Sequence, residues 1–146
     1  MILIKPWYEA QNEAFFVRDA VFIQEQGVPA SLELDEFDPQ ALHALAYHGS
    51  NCIGTGRLVS SNLLEGRIGR MAVLKAYRGK GFGKQLLNAL IGQAKIQGLA
   101  RVTLHAQLQA ISFYEQFGFK AAGEPYDEAG IPHRDMMLNI LTPNQD

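Results

Sequence analysis

Apolar residues recur at helical spacing over one long stretch of the chain. They occupy positions 82, 86, 87, 90, 91 and 94, and polar residues fill the other faces. This stripe predicts an amphipathic helix that packs one side against a sheet. The run directly before it, residues 67–74, indicates a strand. We therefore expect a strand, a turn and a helix over residues 67–94.

The start of the chain predicts another strand and another long helix. Residues 2–7 indicate the strand and residues 9–26 the helix, which Gly27 and Pro29 end. Three polar residues spaced seven apart share one face of this helix: Gln11, Arg18 and Glu25. Apolar residues cover most of the remaining surface, so we expect a helix that is buried on most sides.

An acidic loop at residues 32–39 follows, and strands account for most of the remaining chain. Turn residues between apolar runs predict a hairpin, a later buried strand and two closing strands. These strands are expected at residues 43–47, 52–59, 102–105, 119–122 and 133–140. With 47% hydrophobic and 19% charged residues, the 146-residue chain suits one globular domain over residues 1–146.

Charge and cysteine content argue against several classes of function. The net charge is −2 and the 13 basic residues are spread along the chain, so nucleic-acid binding is not expected. Cys52 is the only cysteine, so neither an intrachain disulfide nor a cysteine-based zinc site is expected, and no metal is predicted. The apolar start is too short for a signal peptide, and no run reaches the ~18 apolar residues of a membrane span. We therefore expect a cytoplasmic protein without a membrane partner.

A glycine-rich turn joins the strand at residues 67–74 to the helix. Gly79, Gly81 and Gly83 lack a Cβ, so a ligand can approach the backbone closely. The free N–H groups at a helix start attract anions, and three cations surround them. These cations are Arg78, Lys80 and Lys84. The turn predicts a phosphate or pyrophosphate cradle, with a plain tight connection as the alternative.

The spacing of this turn excludes two common nucleotide-binding loops. A P-loop requires Gly-Lys followed by Ser or Thr, but glutamine follows Lys84. A Rossmann turn requires a third glycine three residues after the second, and none stands there. The pattern Arg/Gln-x-x-Gly-x-Gly/Ala does fit, with Arg78, Gly81 and Gly83. It resembles the pyrophosphate loop of the GNAT family of acetyl-CoA-dependent N-acetyltransferases.

A second stretch, residues 107–119, strengthens the resemblance. It follows the strand predicted at residues 102–105 and has the sequence Gln-Leu-Gln-Ala-Ile-Ser-Phe-Tyr-Glu-Gln-Phe-Gly-Phe. This is similar to the family's second signature, in which a strand and a polar residue precede a short helix ending in Phe-Tyr-Glu-x-x-Gly-Phe. Tyr114 occupies the family's tyrosine position, and Gln107 stands where the family more often has asparagine.

The N-terminal half resembles one branch of the family. Arg18 begins the pattern Arg-x-x-Val-Phe-x-x-Glu-Gln-x-Val-Pro, acidic residues extend to Asp38, and His43 follows. With Ala-Gly-Ile-Pro-His at residues 129–133, the chain resembles the ElaA/YjcF-like GNAT proteins over nearly its whole length. The Arg-x-x-Val-Phe element also resembles acyl-homoserine-lactone synthases, which share the fold but are longer. An acyltransferase of that kind is a minor alternative.

The resemblance implies an α/β fold, the GNAT (acyl-CoA N-acyltransferase) fold, in which helices flank a mixed, mostly antiparallel central sheet. It implies transfer of an acetyl group from acetyl-CoA to a primary amine of a small molecule or peptide. In this family the strand before the loop carries a bulge, and its backbone pairs with the pantetheine arm. The resemblance assigns the following residues to the cofactor: Met71, Ala72, Val73, Arg78, Gly79, Lys80, Gly81, Phe82, Gly83, Lys84, Gln107 and Tyr114.

Two catalytic tasks need chemical groups. The resemblance assigns protonation of the departing thiolate to Tyr114, which is otherwise a core residue. The attacking amine must lose a proton, yet residues 67–73, where many relatives carry a glutamate, contain no carboxylate. The candidate bases are His105, His133 and Glu25, with a water chain as the alternative. The alternative to an enzyme is a non-catalytic acyl-CoA-binding sensor or interaction module, which the missing strand carboxylate favours and Tyr114 opposes. The acceptor and a homodimer are left open.

Overall fold

The computed structural model describes residues 1–140, so the last six residues of the predicted domain lie outside the described part. Seven strands form one sheet here: β1 (Ile2–Pro6), β2 (Leu42–His48), β3 (Asn51–Ser60), β4 (Glu65–Val73), β5 (Arg101–Gln107), β6 (Lys120–Glu128) and β7 (Ile131–Asn139). Their order is β1-β2-β3-β4-β5-β7-β6. Within residues 1–140, β4 and β5 are the one parallel pair. The predicted mixed, mostly antiparallel sheet is confirmed, although the closing strands β6 and β7 begin earlier or run further than predicted.

Helices cover both faces of this sheet. The α-helices within residues 1–140 are α1 (Trp7–Arg18), α2 (Ala30–Glu33), α3 (Phe82–Ile96) and α4 (Ile111–Glu115), and a π-helical turn, Asp19–Glu25, extends α1. Alternate residues of β2 join different cores, Leu45 with α1 and Ala44 with α3, so these two helices lie on opposite faces. None of the described helices combines the length and the apolar character that crossing a membrane requires.

The apolar stripe of α3 is buried as predicted. Leu86, Leu87 and Leu90 have no exposed surface, and burial of each such side chain stabilises the fold by roughly 1.5–3 kcal/mol. Gly56 on β3 permits the close approach of the helix, because a Cβ there would lie 2.9 Å from Leu90 Cδ1. This packing places the start of α3, and with it the glycine turn, next to the end of β4.

The first helix differs from the prediction on its polar face. Arg18, which its spacing groups with the polar residues Gln11 and Glu25, is fully buried, whereas Phe15 and Phe16 are 39% and 61% exposed. The reason is that the acidic loop folds back over Arg18 and supplies Glu33 and Asp38 as partners. A guanidinium can be buried only when such carboxylates satisfy its donors. The orientation of α1 therefore depends on ion pairs as well as on apolar packing.

The strand β4 carries the expected bulge. Two residues, Arg70 and Met71, oppose the single residue Gly56 on β3. Arg70 adopts a φ of 51°, a left-handed conformation that is uncommon for a residue with a Cβ. Among the described residues, β4 pairs with β5 only at residues 65–67 and 101–103. The two strands therefore separate directly before the bulge.

Candidate active site

A cavity of about 540 Å³ lies where β4 and β5 separate. Five residues that the sequence singles out line it together: Met71, His105, Gln107, Tyr114 and His133. Residues 105 and 107 share one face of β5 because side chains alternate along a strand. His133 of β7 pairs with Gln107, which brings it to the same region. Three strands and α4 thus meet around one space.

Tyr114 lies on α4 and is 9% exposed. Its ring packs edge-on against Phe113 and Phe119, at centroid distances of 5.1 and 5.9 Å. Burial raises the pKa of Tyr114 to about 12, so the phenol stays protonated at neutral pH. Tyr114 is therefore both a core residue and a cavity residue, and it can offer a proton.

The two histidines of the cavity share a carboxylate, Glu128. His105 Nδ1 lies 2.9 Å from Glu128 Oε1, and His133 Nε2 lies 3.7 Å from Glu128 Oε2. His133 Nδ1 donates to the carbonyl oxygen of Ile131 at 2.6 Å, since a carbonyl can only accept. Neutral His133 therefore keeps the lone pair of Nε2, which can take up a proton. Glu128 was not predicted as a site residue, because it lies between the closing strands predicted at residues 119–122 and 133–140, whereas β6 continues to Glu128.

Glu25 is not among the residues that line the cavity. Its carboxylate forms a two-pronged ion pair with Arg78, with N–O distances of 2.7 and 2.8 Å. The hydrogen bond from the guanidinium lowers the pKa of Glu25, which weakens this group as a base. Of the three predicted bases, the structure brings His105 and His133 to the cavity and leaves Glu25 outside it.

The glycine turn has the backbone geometry of a cradle. Gly79 and Gly81 have φ values of 75° and 89°, which residues with a Cβ rarely adopt. A Cβ built at either position meets no atom within 4 Å, so the space around the turn is open. No side chain among residues 1–140 caps the first turn of α3, which leaves its N–H groups to an anion. A pyrophosphate therefore fits this turn.

The cations of the turn have partners that the sequence did not indicate. Arg78, besides its pair with Glu25, donates from Nε to the carbonyl oxygen of Val73 at 2.8 Å. Lys80 Nζ lies 5.7 Å from the ring centre of Tyr77. The Val73 carbonyl, on the strand segment predicted to pair with the pantetheine arm, thus already accepts a hydrogen bond from Arg78.

Four further residues assigned to the cofactor differ in their accessibility. Lys84 is exposed, whereas Phe82 packs edge-on against an aromatic neighbour at 6.2 Å. Ala72 is 6% exposed and packs in the α1 core. Gln107 donates to Gln26 Oε1 at 2.9 Å, so the segment after α1 holds it. Their contacts with a cofactor remain predictions.

Residues 6–140 match the sequence profile of a family described as acetyltransferase (GNAT) domain. The chain belongs to the GNAT acetyltransferase family. One relative, the uncharacterized N-acetyltransferase YjcF of Bacillus subtilis, is 38% identical over 130 residues, which are 88% of this chain and 92% of YjcF. The matched residues of this GNAT protein include the bulged strand β4, the glycine turn and Tyr114.

Two crystal structures support the same assignment. A proposed N-acetyltransferase from Lactobacillus plantarum has 35% identity and a TM-score of 0.89 to this GNAT protein, covering 97% of this chain and 98% of that one. ElaA of Escherichia coli has 27% identity and a TM-score of 0.84, covering 94% of this chain and 97% of ElaA. The predicted GNAT fold and the ElaA/YjcF-like branch are confirmed.

This GNAT acetyltransferase also has a charged wall that spacing along the sequence did not reveal. Six side chains from α1, the acidic loop and the sheet form it: Arg18, Glu33, Asp35, Asp38, Arg57 and Arg70. Arg57 contacts Asp35 at 2.7 Å and Asp38 at 2.8 Å. Burial alone would raise the pKa of Asp38, but hydrogen bonds from Arg18 and Arg57 lower it to about 2. The wall brings to the cavity carboxylates that residues 67–73 lack; the acidic run at residues 32–39 was their only sequence signal.

Proposed function

We propose that this protein transfers an acetyl group from acetyl-CoA to a primary amine of a small molecule or peptide. The observation that carries the proposal is the cavity at the separation of β4 and β5, which joins a protonated Tyr114 to two histidines that share Glu128. The glycine turn and the backbone of β4 are the parts of the chain that would hold acetyl-CoA. Bound there, it supplies an activated acetyl thioester.

Tyr114 serves the leaving group in this proposal. Attack by the amine nitrogen forms a C–N bond and breaks the C–S bond of the thioester, so the sulfur departs as a thiolate. The Tyr114 hydroxyl donates its proton, or a hydrogen bond, to that sulfur, and the second proton that the attacking nitrogen loses restores the hydroxyl. Backbone N–H groups near Met71 stabilise the negative charge that develops on the carbonyl oxygen. Because the Tyr114 pKa is raised, the donor form is present throughout the neutral range.

The histidines serve the amine. A lysine-like amine has a pKa near ~10.4, so it must lose a proton before it can attack. Nε2 of His133 is the atom that takes this proton, and Glu128 stabilises the imidazolium that results. His105 is the second candidate, since Glu128 orients its ring through Nδ1. The carboxylate shared by both rings supports a histidine base in place of the missing strand glutamate.

The proposal is tested by measuring thiol release from acetyl-CoA with a broad panel of amines. We expect a subset of amines to release CoA and to yield one acetylated product per thiol, identified by mass spectrometry. The background is the thiol release measured with acetyl-CoA and the same amines in the absence of the protein. Tight CoA binding without any release above that background would instead indicate an acyl-CoA-binding module.

We expect Gly83→Val to weaken the binding of CoA and acetyl-CoA alike by at least about tenfold, roughly 1.4 kcal/mol. A Cβ at Gly83 would contact Phe113 at an ordinary 3.5 Å, so the fold tolerates it, but the added methyl groups obstruct access to the N–H groups of the turn. Gly92→Val in the same helix, with no atom within 4 Å of its Cβ, is the matched control. Calorimetric titration measures both variants. Unchanged CoA affinity in Gly83→Val would remove the turn from the proposed site.

Once an acceptor is known, we expect kcat/KM to rise with pH through the neutral range. The base must lose its own proton before it can accept one from the amine, and imidazole ordinarily titrates in this range. The rising limb should disappear in His133→Asn or in His105→Asn. The profile is repeated with an acceptor whose amine has a lower pKa. A rising limb that belongs to the enzyme's base stays at the same pH, whereas one that belongs to the amine shifts to lower pH. If both variants keep the parent profile, water delivers the proton to solvent and neither histidine is the base.

A further inference from the structure

Arg67 differs from the other arginines of the cavity. It lies on β4 at the last position paired with β5, and it lines the cavity. Its guanidinium lies over the Phe37 ring, 5.2 Å from the ring centre, which holds it in place. Arg57 and Arg70 are each bound to Asp35, but no carboxylate among residues 1–140 lies within ion-pair distance of Arg67. Arg67 is therefore a positioned cation that the described residues do not neutralise.

The other charges of the cavity wall show why this matters. The wall network of three arginines and three carboxylates has no net charge. Among the described residues that line the cavity, one arginine and one carboxylate lie outside that network: Arg67 and Glu128. His105 and His133 lie beside Glu128. The cavity thus presents one cationic and one anionic group to a ligand. A ligand that carries both signs of charge complements it.

Glu33 supplies a second, independent observation. It lines the cavity and is 1% exposed, and its Oε1 pairs with Arg18. Its Oε2 is buried and has no hydrogen-bond partner within the described residues. An unsatisfied buried acceptor destabilises the fold, so a hydrogen-bond donor brought by a ligand would be favourable. An ammonium group brings three N–H donors.

We propose that the acceptor is a small amine that also carries a carboxylate, as a free amino acid does, and that Arg67 binds this carboxylate. The inference rests on the proposed N-acetyltransferase function and names its substrate class. A planar guanidinium matches the two oxygens of a carboxylate. The amine end of the acceptor donates to Glu33 Oε2 and passes its proton to the histidines beside Glu128. A free amino acid satisfies all three groups, whereas the terminal amine of a long peptide has no carboxylate next to it.

The experiment compares acceptors that differ at one group. Initial rates of acetylation are measured for the twenty common L-amino acids, for their primary amides and for the amines left after decarboxylation, with O-phosphoethanolamine as a phosphate-bearing amine. We expect the wild type to prefer the acids over the amides by at least about tenfold in kcat/KM. Arg67→Gln should raise KM for the acids at least about tenfold, change KM for the amides by less than about twofold, and leave CoA affinity unchanged. Arg67→Lys should retain part of the preference.

Arg101→Gln is the matched control for the loss of an arginine. Arg101 lies on β5, pairs with Glu65 and is not among the residues that line the cavity, so its removal should leave the preference for acids intact. Equal use of acids and amides by the wild type, or an equal loss for both in Arg67→Gln, overturns the inference and leaves the acetyltransferase standing. Use of O-phosphoethanolamine in place of the acids overturns the assignment to a carboxylate.

Failure of the proposed function has a different signature. If no amine is acetylated, calorimetric titration of the amino acids into the CoA-saturated protein decides the inference by itself. A carboxylate site at Arg67 is supported if the wild type binds an amino acid but not the corresponding amide, and if Arg67→Gln does not bind that amino acid. Absence of binding for every amino acid overturns it.

Discussion

Replacing Tyr114 with phenylalanine is expected to lower kcat by roughly 10²-fold while the affinity for CoA hardly changes. The substitution removes one hydroxyl and keeps the ring that packs against Phe113 and Phe119. The thiolate must then depart without the donor proposed for it. Because burial holds the pKa of Tyr114 at about 12, the loss should be the same across the neutral pH range. Thiol release at saturating substrate gives kcat, and calorimetry gives the CoA affinity.

Tyr8→Phe is the matched control for this experiment. Tyr8 lies on α1 and is 77% exposed, so the same chemical change there should leave kcat unaltered. A Tyr114→Phe protein with near-normal turnover would reduce Tyr114 to its packing role in the core. If Tyr114→Phe lowered only the stability or the CoA affinity and left kcat unchanged, Tyr114 would again have only a packing role, because a proton donor acts on turnover.

Arg18→Met should reduce the free energy of unfolding by about 3–5 kcal/mol. Arg18 has no exposed surface, and it donates to both oxygens of Asp38, at 2.8 and 3.1 Å, and to the Glu33 carboxylate. Methionine fills much of the same space but leaves these carboxylates buried beside fewer cations. Uncompensated buried charge is more costly than the loss of one ion pair. Urea unfolding at neutral pH, followed through its midpoint and slope, measures the change.

Arg101→Met provides the comparison at an accessible ion pair. The Arg101 and Glu65 side chains are 39% and 28% exposed, and a pair of this kind contributes under about 1 kcal/mol. The decrease in the free energy of unfolding should therefore be several times larger for Arg18→Met than for Arg101→Met. An Arg18→Met protein as stable as the Arg101→Met protein would show that the charged wall does not depend on Arg18.

Elements with a regular apolar period were predicted well. The stripe of α3 and the hairpin of β2 and β3 lie where the sequence placed them, because each is specified by neighbours a few positions apart. The helix predicted at residues 9–26 has Arg18 on its polar face, yet Arg18 is fully buried. Spacing shows that an arginine shares a face with other polar residues, but it does not show whether a distant loop will cover that face.

The sequence by itself determined the family, the fold class, the glycine turn before α3 and the position of Tyr114 on a short helix. These features follow from motifs and periods within short segments, where chain connectivity leaves little freedom. Only the tertiary structure decided the partners of the charged groups: Arg78 with Glu25, 53 residues apart, His105 with Glu128, 23 apart, and Arg57 with Asp35, 22 apart. Such pairs depend on strand register and on how the acidic loop folds back over the sheet. A charged side chain can satisfy any opposite charge within reach, so its partner is selected by the packed fold and not by its neighbours in the sequence.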